Sequence, residues 1–146
     1  MKVVYGDIWE YPADYICLTT NGSIRRDGAA VMGRGVALQS RQRVVGIEHL
    51  LGACIKEFGL HTYFIDERYL AFPVKHHWYE RADLLLIQKS AWELNLITGK
   101  LHQKSIFVLP RPGCGNGGLS WDEVRPVLES VGLPDNVHII DRREDK

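Results

Sequence analysis

The sequence predicts a single α/β domain, a mixed sheet with helices packed on both faces. Three observations predict it. Residues 105–140 alternate strand, helix and strand patterns, the rhythm of a sheet covered by helices. Two glycine-rich loops, at 33–35 and 113–118, come after strand patterns and lead into helical ones. The chain has 146 residues, 45% hydrophobic and 25% charged, which suits one sizeable core in an ordinary soluble globule.

Lys2–Tyr5 reads as the first strand, ending at Gly6-Asp7. Asp14–Thr20 is the second, stopped by Asn21-Gly22. A loop over 23–30 leads into Val31–Leu38, where Gly33-Arg34-Gly35 precedes a helical pattern. Residues 45–58 keep helical spacing through Ile47, Leu50, Leu51, Cys54, Ile55 and Phe58, with Gly59 as the stop. Residues 61–65 and 69–74 look like two strands joined at Asp66-Glu67-Arg68. A polar-aromatic loop over 73–78 follows. Asp83 can cap a helix that turns Leu84, Ile87, Ala91, Leu94 and Trp92 inward. Ser105–Leu109 is apolar without alternation, the pattern of a central strand buried on both faces. Ser120 and Glu123 stand at capping-box spacing for a helix over 121–131, with Leu119 and Val124 placed as a hydrophobic staple. Pro126 removes a bond from that helix and should bend or shorten its first turns. Asn136–Ile140 is the last strand, and the charged stretch 141–146 is expected to fray.

The loop Arg111-Pro112-Gly113-Cys114-Gly115-Asn116-Gly117-Gly118-Leu119 carries the strongest chemical signal. Glycines at 113, 115, 117 and 118 permit positive φ and clear side chains from a ligand's path. Successive N–H groups and the following helix start then make an anion site, most often for phosphate. A ligand-free turn is the rival reading, but such a turn needs only one or two glycines. The loop lacks the Gly-Lys-Ser/Thr ending of a Walker loop and does not fit GxGxxG. Gly33-Arg34-Gly35 offers a second anion site, so the pair suggests a ligand with two phosphates. Ligands in such sheets bind beyond the strands' carboxyl ends, where both loops and Lys75 lie.

Composition narrows the function class. The formal net charge is zero, which argues against a general nucleic-acid binder but leaves room for a basic mouth. Cys17, Cys54 and Cys114 are scattered and lack metal spacing, so reduced thiols and a cytoplasmic location are expected. The chain opens directly on a strand pattern without a leader, and no apolar run approaches membrane-spanning length. No metal and no cofactor are expected, and no membrane partner. Oligomeric state is left open, with a monomer as the working expectation.

Among single residues, Lys75 is either a solvated loop charge or, beside the cleft, a nucleophile or proton carrier with a lowered pKa. Adjacent His76 and His77 point apart and make a poor metal pair. Cys114 is either a thiolate near a helix start or a small packing residue. Asp7 is either a turn aspartate or an acceptor for an exocyclic amine such as that of adenine. Arg25, Arg26, Arg34, Arg41 and Arg43 form either a solvated face or a basic rim for nucleic acid or a phosphorylated substrate.

These segments, in this order, resemble the macrodomain family, which binds ADP-ribose. Gly6-Asp7-Ile8 is similar to the family's adenine-recognition strand end, and Asn21 to its distal-ribose asparagine. Val31–Ala37 and Arg111–Leu119 are similar to its two diphosphate loops. The match runs from about residue 3 to residue 140. Within the family the chain looks closest to the branch of the vertebrate terminal ADP-ribose glycohydrolase and the DarG antitoxin. Phe72-Pro73-Val74-Lys75-His76-His77-Trp78 resembles the antitoxin's lysine-bearing segment. The chain departs from the branch in three places. Gly117 stands where the vertebrate hydrolase has an aspartate, Cys17-Leu18-Thr19-Thr20 replaces the first asparagine of the usual Asn-Xaa-Xaa-Asn, and the insertion at 24–30 is longer.

The resemblance implies a three-layer α/β/α macrodomain with a mixed, mostly parallel central sheet. It implies ADP-ribose as ligand or product, and removal of mono-ADP-ribose from a protein acidic side chain or a nucleobase. The partner would then be an ADP-ribosylated protein or nucleic acid. A non-catalytic ADP-ribose reader and an ADP-ribose 1″-phosphate phosphatase are the alternatives. Lys75 is the implied catalytic group. The implied ligand contacts are Asp7, Ile8, Thr20, Asn21, Val31, Met32, Gly33, Arg34, Gly35, Val36 and Ala37, then Arg111, Pro112, Gly113, Cys114, Gly115, Asn116, Gly117, Gly118 and Leu119.

Overall fold

The computed structural model describes residues 1–100 and 102–142. In chain order the elements are β1 (Lys2–Tyr5), β2 (Tyr15–Thr20), α1 (Gly35–Arg43), α2 (Ile47–Phe58), β3 (Tyr63–Phe64), β4 (Tyr69–Pro73), α3 (Leu84–Lys100), β5 (Phe107–Pro110), α4 (Trp121–Val131) and β6 (Val137–Asp141). A single 3-10 turn, Gly115–Gly117, lies between β5 and α4. The strands form one six-stranded sheet in the order β1-β6-β5-β2-β4-β3. All neighbours pair in parallel except the short edge strand β3, which runs antiparallel to β4.

Alternation along the central strands assigns side chains to two cores. Cys17, Leu70, Phe72, Phe107, Leu109, Val137 and Ile139 face α3 and α4, meeting Ile87, Ala91, Leu94, Val124 and Leu128. The intervening Ile16, Leu18, Ala71, Val108 and Ile140 face α1 and α2, meeting Ala37, Ile47 and Leu51. Both faces are therefore covered, which is why β5 reads as an unbroken apolar run. Phe107 and Leu109 are fully buried, and burial of each contributes about 1.5–3 kcal/mol. The result is a three-layer α/β/α sandwich with a mixed, mostly parallel sheet.

Local chemistry explains the element ends. Ser120 Oγ accepts from the Glu123 N–H at 3.2 Å, and Glu123 Oε2 accepts from the Ser120 N–H at 2.8 Å, closing the capping box of α4. Ser120→Ala should lower the unfolding free energy in urea by about 1 kcal/mol. Asp83 Oδ1 accepts from the Leu85 N–H at 2.9 Å at the start of α3. Gly59 ends α2 with φ +80°.

Several expectations need correction. Pro126 lies inside α4 without shortening it, since the helix starts at Trp121. Trp92 does not turn inward and is 57% exposed, because Ala91 and Leu94 already fill the buried stripe of α3. Leu50 and Phe58 keep helical spacing but are exposed, and Val45 lies outside α2 altogether. Asp141 is the end of β6, paired with Tyr5, rather than the start of a frayed tail. The rest of that stretch, 143–146, lies outside the described residues. Among the described residues, no helix is long and apolar enough to cross a membrane.

Candidate functional site

The parallel strands β2, β4 and β5 end on one side of the sheet, and a cleft of about 350 Å³ opens there. Thr19, Thr20 and Asn21 line it from β2, Val74 and Lys75 from β4, and Pro110 and Arg111 from β5. Its opposing walls are the two glycine loops. Gly33, Arg34, Gly35, Val36 and Ala37 form one, and Gly113, Cys114, Asn116 and Gly117 the other. The walls touch where a Cβ on Gly35 would stand 3.4 Å from Asn116 Nδ2.

The start of α1 explains how the first wall could hold an anion. Arg34 is the N-cap residue, and its side chain makes no capping bond. The leading N–H groups of any helix lack partners within it, so those of Gly35–Ala37 are left for the cleft. The start of α4 differs from the expectation that it would serve the anion. Its capping box engages it with Ser120 and Glu123. The second wall is instead the 3-10 turn, with Gly113, Gly115 and Gly118 at φ +75°, +71° and +80°. Backbone shape, not charge from α4, would make this wall a phosphate cradle.

Lys75 is half-buried at the edge of the cleft, with Nζ 3.5 Å from the Trp78 carbonyl oxygen. Burial, and secondarily the positive charge of Arg34, hold its pKa below the usual lysine range. Among the described residues that line the cleft there is no aspartate or glutamate. Gly117, where the vertebrate hydrolase carries an aspartate, is buried, and a Cβ there would meet the Ala82 Cβ at 3.0 Å. Asn21 braces the floor, donating from Nδ2 to the Val31 carbonyl at 3.0 Å and accepting from the Ser23 N–H at 2.9 Å.

Some of the other singled-out residues sit apart from the cleft, while Arg111 and Cys114 line it with their side chains engaged or buried. Met32 and Leu119 are buried in the two cores, and Pro112 is buried beneath the second loop. Gly115 and Gly118 shape the 3-10 turn without lining the cleft. Ile8 lines an adjoining hollow of about 200 Å³ that shares Gly35, Val36 and Pro110 with the cleft. Asp7 lines neither hollow and accepts from the Trp9 N–H at 2.9 Å, a turn role. The Arg111 guanidinium is engaged by the rings of Trp121 and Tyr5, at 4.7 and 5.8 Å, and by Asp141 at 3.5 Å. Burial pushes the Cys114 pKa up to about 11, which keeps its thiol protonated at neutral pH and speaks against a thiolate there. Arg43 stacks on Trp9 at 4.8 Å, which removes it from a free basic rim. Among the described residues no group of three His, Cys, Asp or Glu could hold a metal ion.

Sequence reasoning missed Trp78 as a lining residue, and Gln39 and Arg142 beside Ile8. The signal for Trp78 was its position three residues past Lys75. Gln39 and Arg142 carry no local signal, since only the fold joins them.

No protein-family model matches the chain. It is 28% identical over 141 residues to the DNA ADP-ribosyl glycohydrolase of Thermus aquaticus, covering 90% of this chain and 37% of that protein. It is 32% identical over 120 residues to the DNA ADP-ribosyl glycohydrolase of Mycobacterium tuberculosis, covering 72% of this chain and 33% of that protein. The chain thus spans about a third of the length of the curated relatives it matches. The solved macrodomain of Mycobacterium tuberculosis DarG superposes with a TM-score of 0.76 at 26% identity, covering 94% of this chain and 95% of that one. With two glycine loops framing one cleft at the strand ends, and with these relatives, the chain is a macrodomain of the DarG type.

Proposed function

We propose that the chain hydrolyses the link between mono-ADP-ribose and a DNA base, as a DNA ADP-ribosyl glycohydrolase. One observation carries the reading. A half-buried lysine with a lowered pKa stands at the edge of a cleft framed by two glycine loops. The loop amides would hold the diphosphate, Asn21 would face the distal ribose, and the hollow beside Ile8 would take the adenine. The loops act by positioning. In the reacting step, the Lys75 ammonium donates a proton to the leaving base as its bond to C1″ breaks. A water adds to C1″, and the proton that water sheds restores the ammonium. Protonation is favoured over a lysine adduct because, among the described residues, no carboxylate lines the cleft to open one. The target base, rather than an acidic protein side chain, follows the relatives' name. A cytoplasmic location fits the three free cysteines.

The absent carboxylate also supports a second reading, a reader that binds ADP-ribose without turnover. Incubation with ADP-ribosylated DNA and ADP-ribosylated protein separates the two. Release of free ADP-ribose from the DNA is the expected result. Tight ADP-ribose binding by calorimetry with no release from either substrate would favour the reader.

If the protonated lysine is the active form, kcat falls as pH rises through its pKa. The positive charge of Arg34 lowers that pKa, so Arg34→Ala should move the alkaline limb of kcat to higher pH. A limb unmoved in Arg34→Ala would separate it from Lys75.

A further inference from the structure

The geometry points to a stacking platform for single-stranded DNA on the 75–82 loop, where His77 and Tyr79 receive the bases that flank the modified nucleotide. This rests on the proposed DNA glycohydrolase activity. His77 and Tyr79 stack with ring centroids 5.5 Å apart and planes within 3° of parallel. Trp78 meets Tyr79 edge-on at 5.7 Å and also lines the cleft. Tyr79 is 68% exposed and Trp78 54%, so flat aromatic surface runs from the cleft edge into solvent.

Main-chain contacts hold the loop in place. The Asp83 N–H donates to the Val74 carbonyl at 2.9 Å, closing its two ends. The His76 carbonyl accepts from the Gly22 N–H at 3.1 Å, and the Trp78 N–H donates to Ser23 Oγ at 3.0 Å. The Ala82 N–H donates to the Gly117 carbonyl at 2.9 Å, tying the loop to the second cleft wall. A surface fixed in this way loses little freedom on binding.

The charge around it suits a phosphate backbone. Ser23, which the loop contacts, is followed by a small hairpin that carries Arg25 and Arg26, both exposed. A Cβ on Gly52 of α2 would fall 1.9 Å from the Gly28 carbonyl oxygen, so the hairpin sits hard against that helix. Arg81 lies at the other side, donating to the Gly118 carbonyl at 3.1 Å. Three nearby carboxylates are in part engaged, with Asp27 3.8 Å from His49, Glu123 3.6 Å from Arg81 and Asp83 3.0 Å from His76, while Glu80 on the loop is exposed and offsets part of the positive charge. Exposed rings flanked by arginines take unpaired bases, whose faces a duplex hides.

The test compares an oligonucleotide carrying one ADP-ribosylated base with the same modified nucleoside alone. His77→Ala/Tyr79→Ala should raise KM for the single-stranded oligonucleotide about tenfold or more, the effect of losing base stacking. KM for the nucleoside and the affinity for free ADP-ribose should stay unchanged, which also shows that the variant folds. Tyr79→Phe, which keeps the ring, should behave as wild type. An unchanged oligonucleotide KM in the double variant overturns the platform and leaves the glycohydrolase reading intact. If wild type cleaves neither substrate, that reading fails, and the platform is judged by anisotropy of a labelled unmodified oligonucleotide at low salt. Tenfold weaker binding by the double variant would then support it. Equal binding, or no binding by wild type, would overturn it.

Discussion

Lys75→Ala is expected to lower the release of ADP-ribose from modified DNA by about 100-fold or more, the range for loss of a general acid. Free ADP-ribose should still bind, because the loops that frame the cleft keep their shape. The size of the effect follows from the site's composition. Lys75 and Arg34 are cations at the cleft, no aspartate or glutamate among the described residues lines it, and Cys114 is held as a neutral thiol. No other group lining the cleft can therefore easily donate a proton near neutral pH. Lys75→Arg is a useful companion. It keeps the charge but not a pKa from which a proton is easily given, so it should bind ADP-ribose and yet stay as slow in turnover as Lys75→Ala. Single-turnover release of ADP-ribose by both variants, alongside calorimetry, checks this. Full turnover in Lys75→Ala would remove the lysine from the chemistry.

Gly113→Ala carries the second large effect. Gly113 sits at φ +75°, where a side chain is strained by about 1–2 kcal/mol. Its Cβ would also meet Ile87 Cδ1 at 2.8 Å and Ala82 Cβ and Leu119 Cδ1 at 3.0 Å. Ile87 can swing away, but the Ala82 Cβ moves only with its backbone, so crowding adds about 1–3 kcal/mol. The variant should lose about 2–5 kcal/mol of stability in urea and bind ADP-ribose at least tenfold more weakly. Gly99→Ala is the control. Gly99 lies in α3 with open space around its Cβ, and alanine there should be neutral or stabilising. Wild-type stability in Gly113→Ala would show that the second loop tolerates a side chain where the geometry forbids one.

The fold was largely legible because its signals are local. The apolar run of β5, the Ser120–Glu123 box and the stop at Gly59 each lie within a few residues. The convergence of both glycine loops and Lys75 followed from strand ends alone. What the sequence does not show depends on distant partners. Arg111 lines the cleft, and Tyr5, Trp121 and Asp141, all remote in sequence, engage its guanidinium. Asp7 closes its own turn, and only Ile8 beside it reaches a hollow. Helix α1 has little apolar periodicity, because only Ala37 and Ser40 are buried on it. Trp78 stands in the lysine-bearing segment, but its place in the cleft involves the Ser23 hydroxyl, which accepts from its N–H.

The central claim is geometric, and a crystal structure of the protein with ADP-ribose tests it most directly. The account predicts the diphosphate between the amides of Gly35–Ala37 and the 113–118 turn, with the distal ribose within reach of Lys75 Nζ. A nucleotide bound elsewhere, or a distal ribose turned away from that amine, would contradict it.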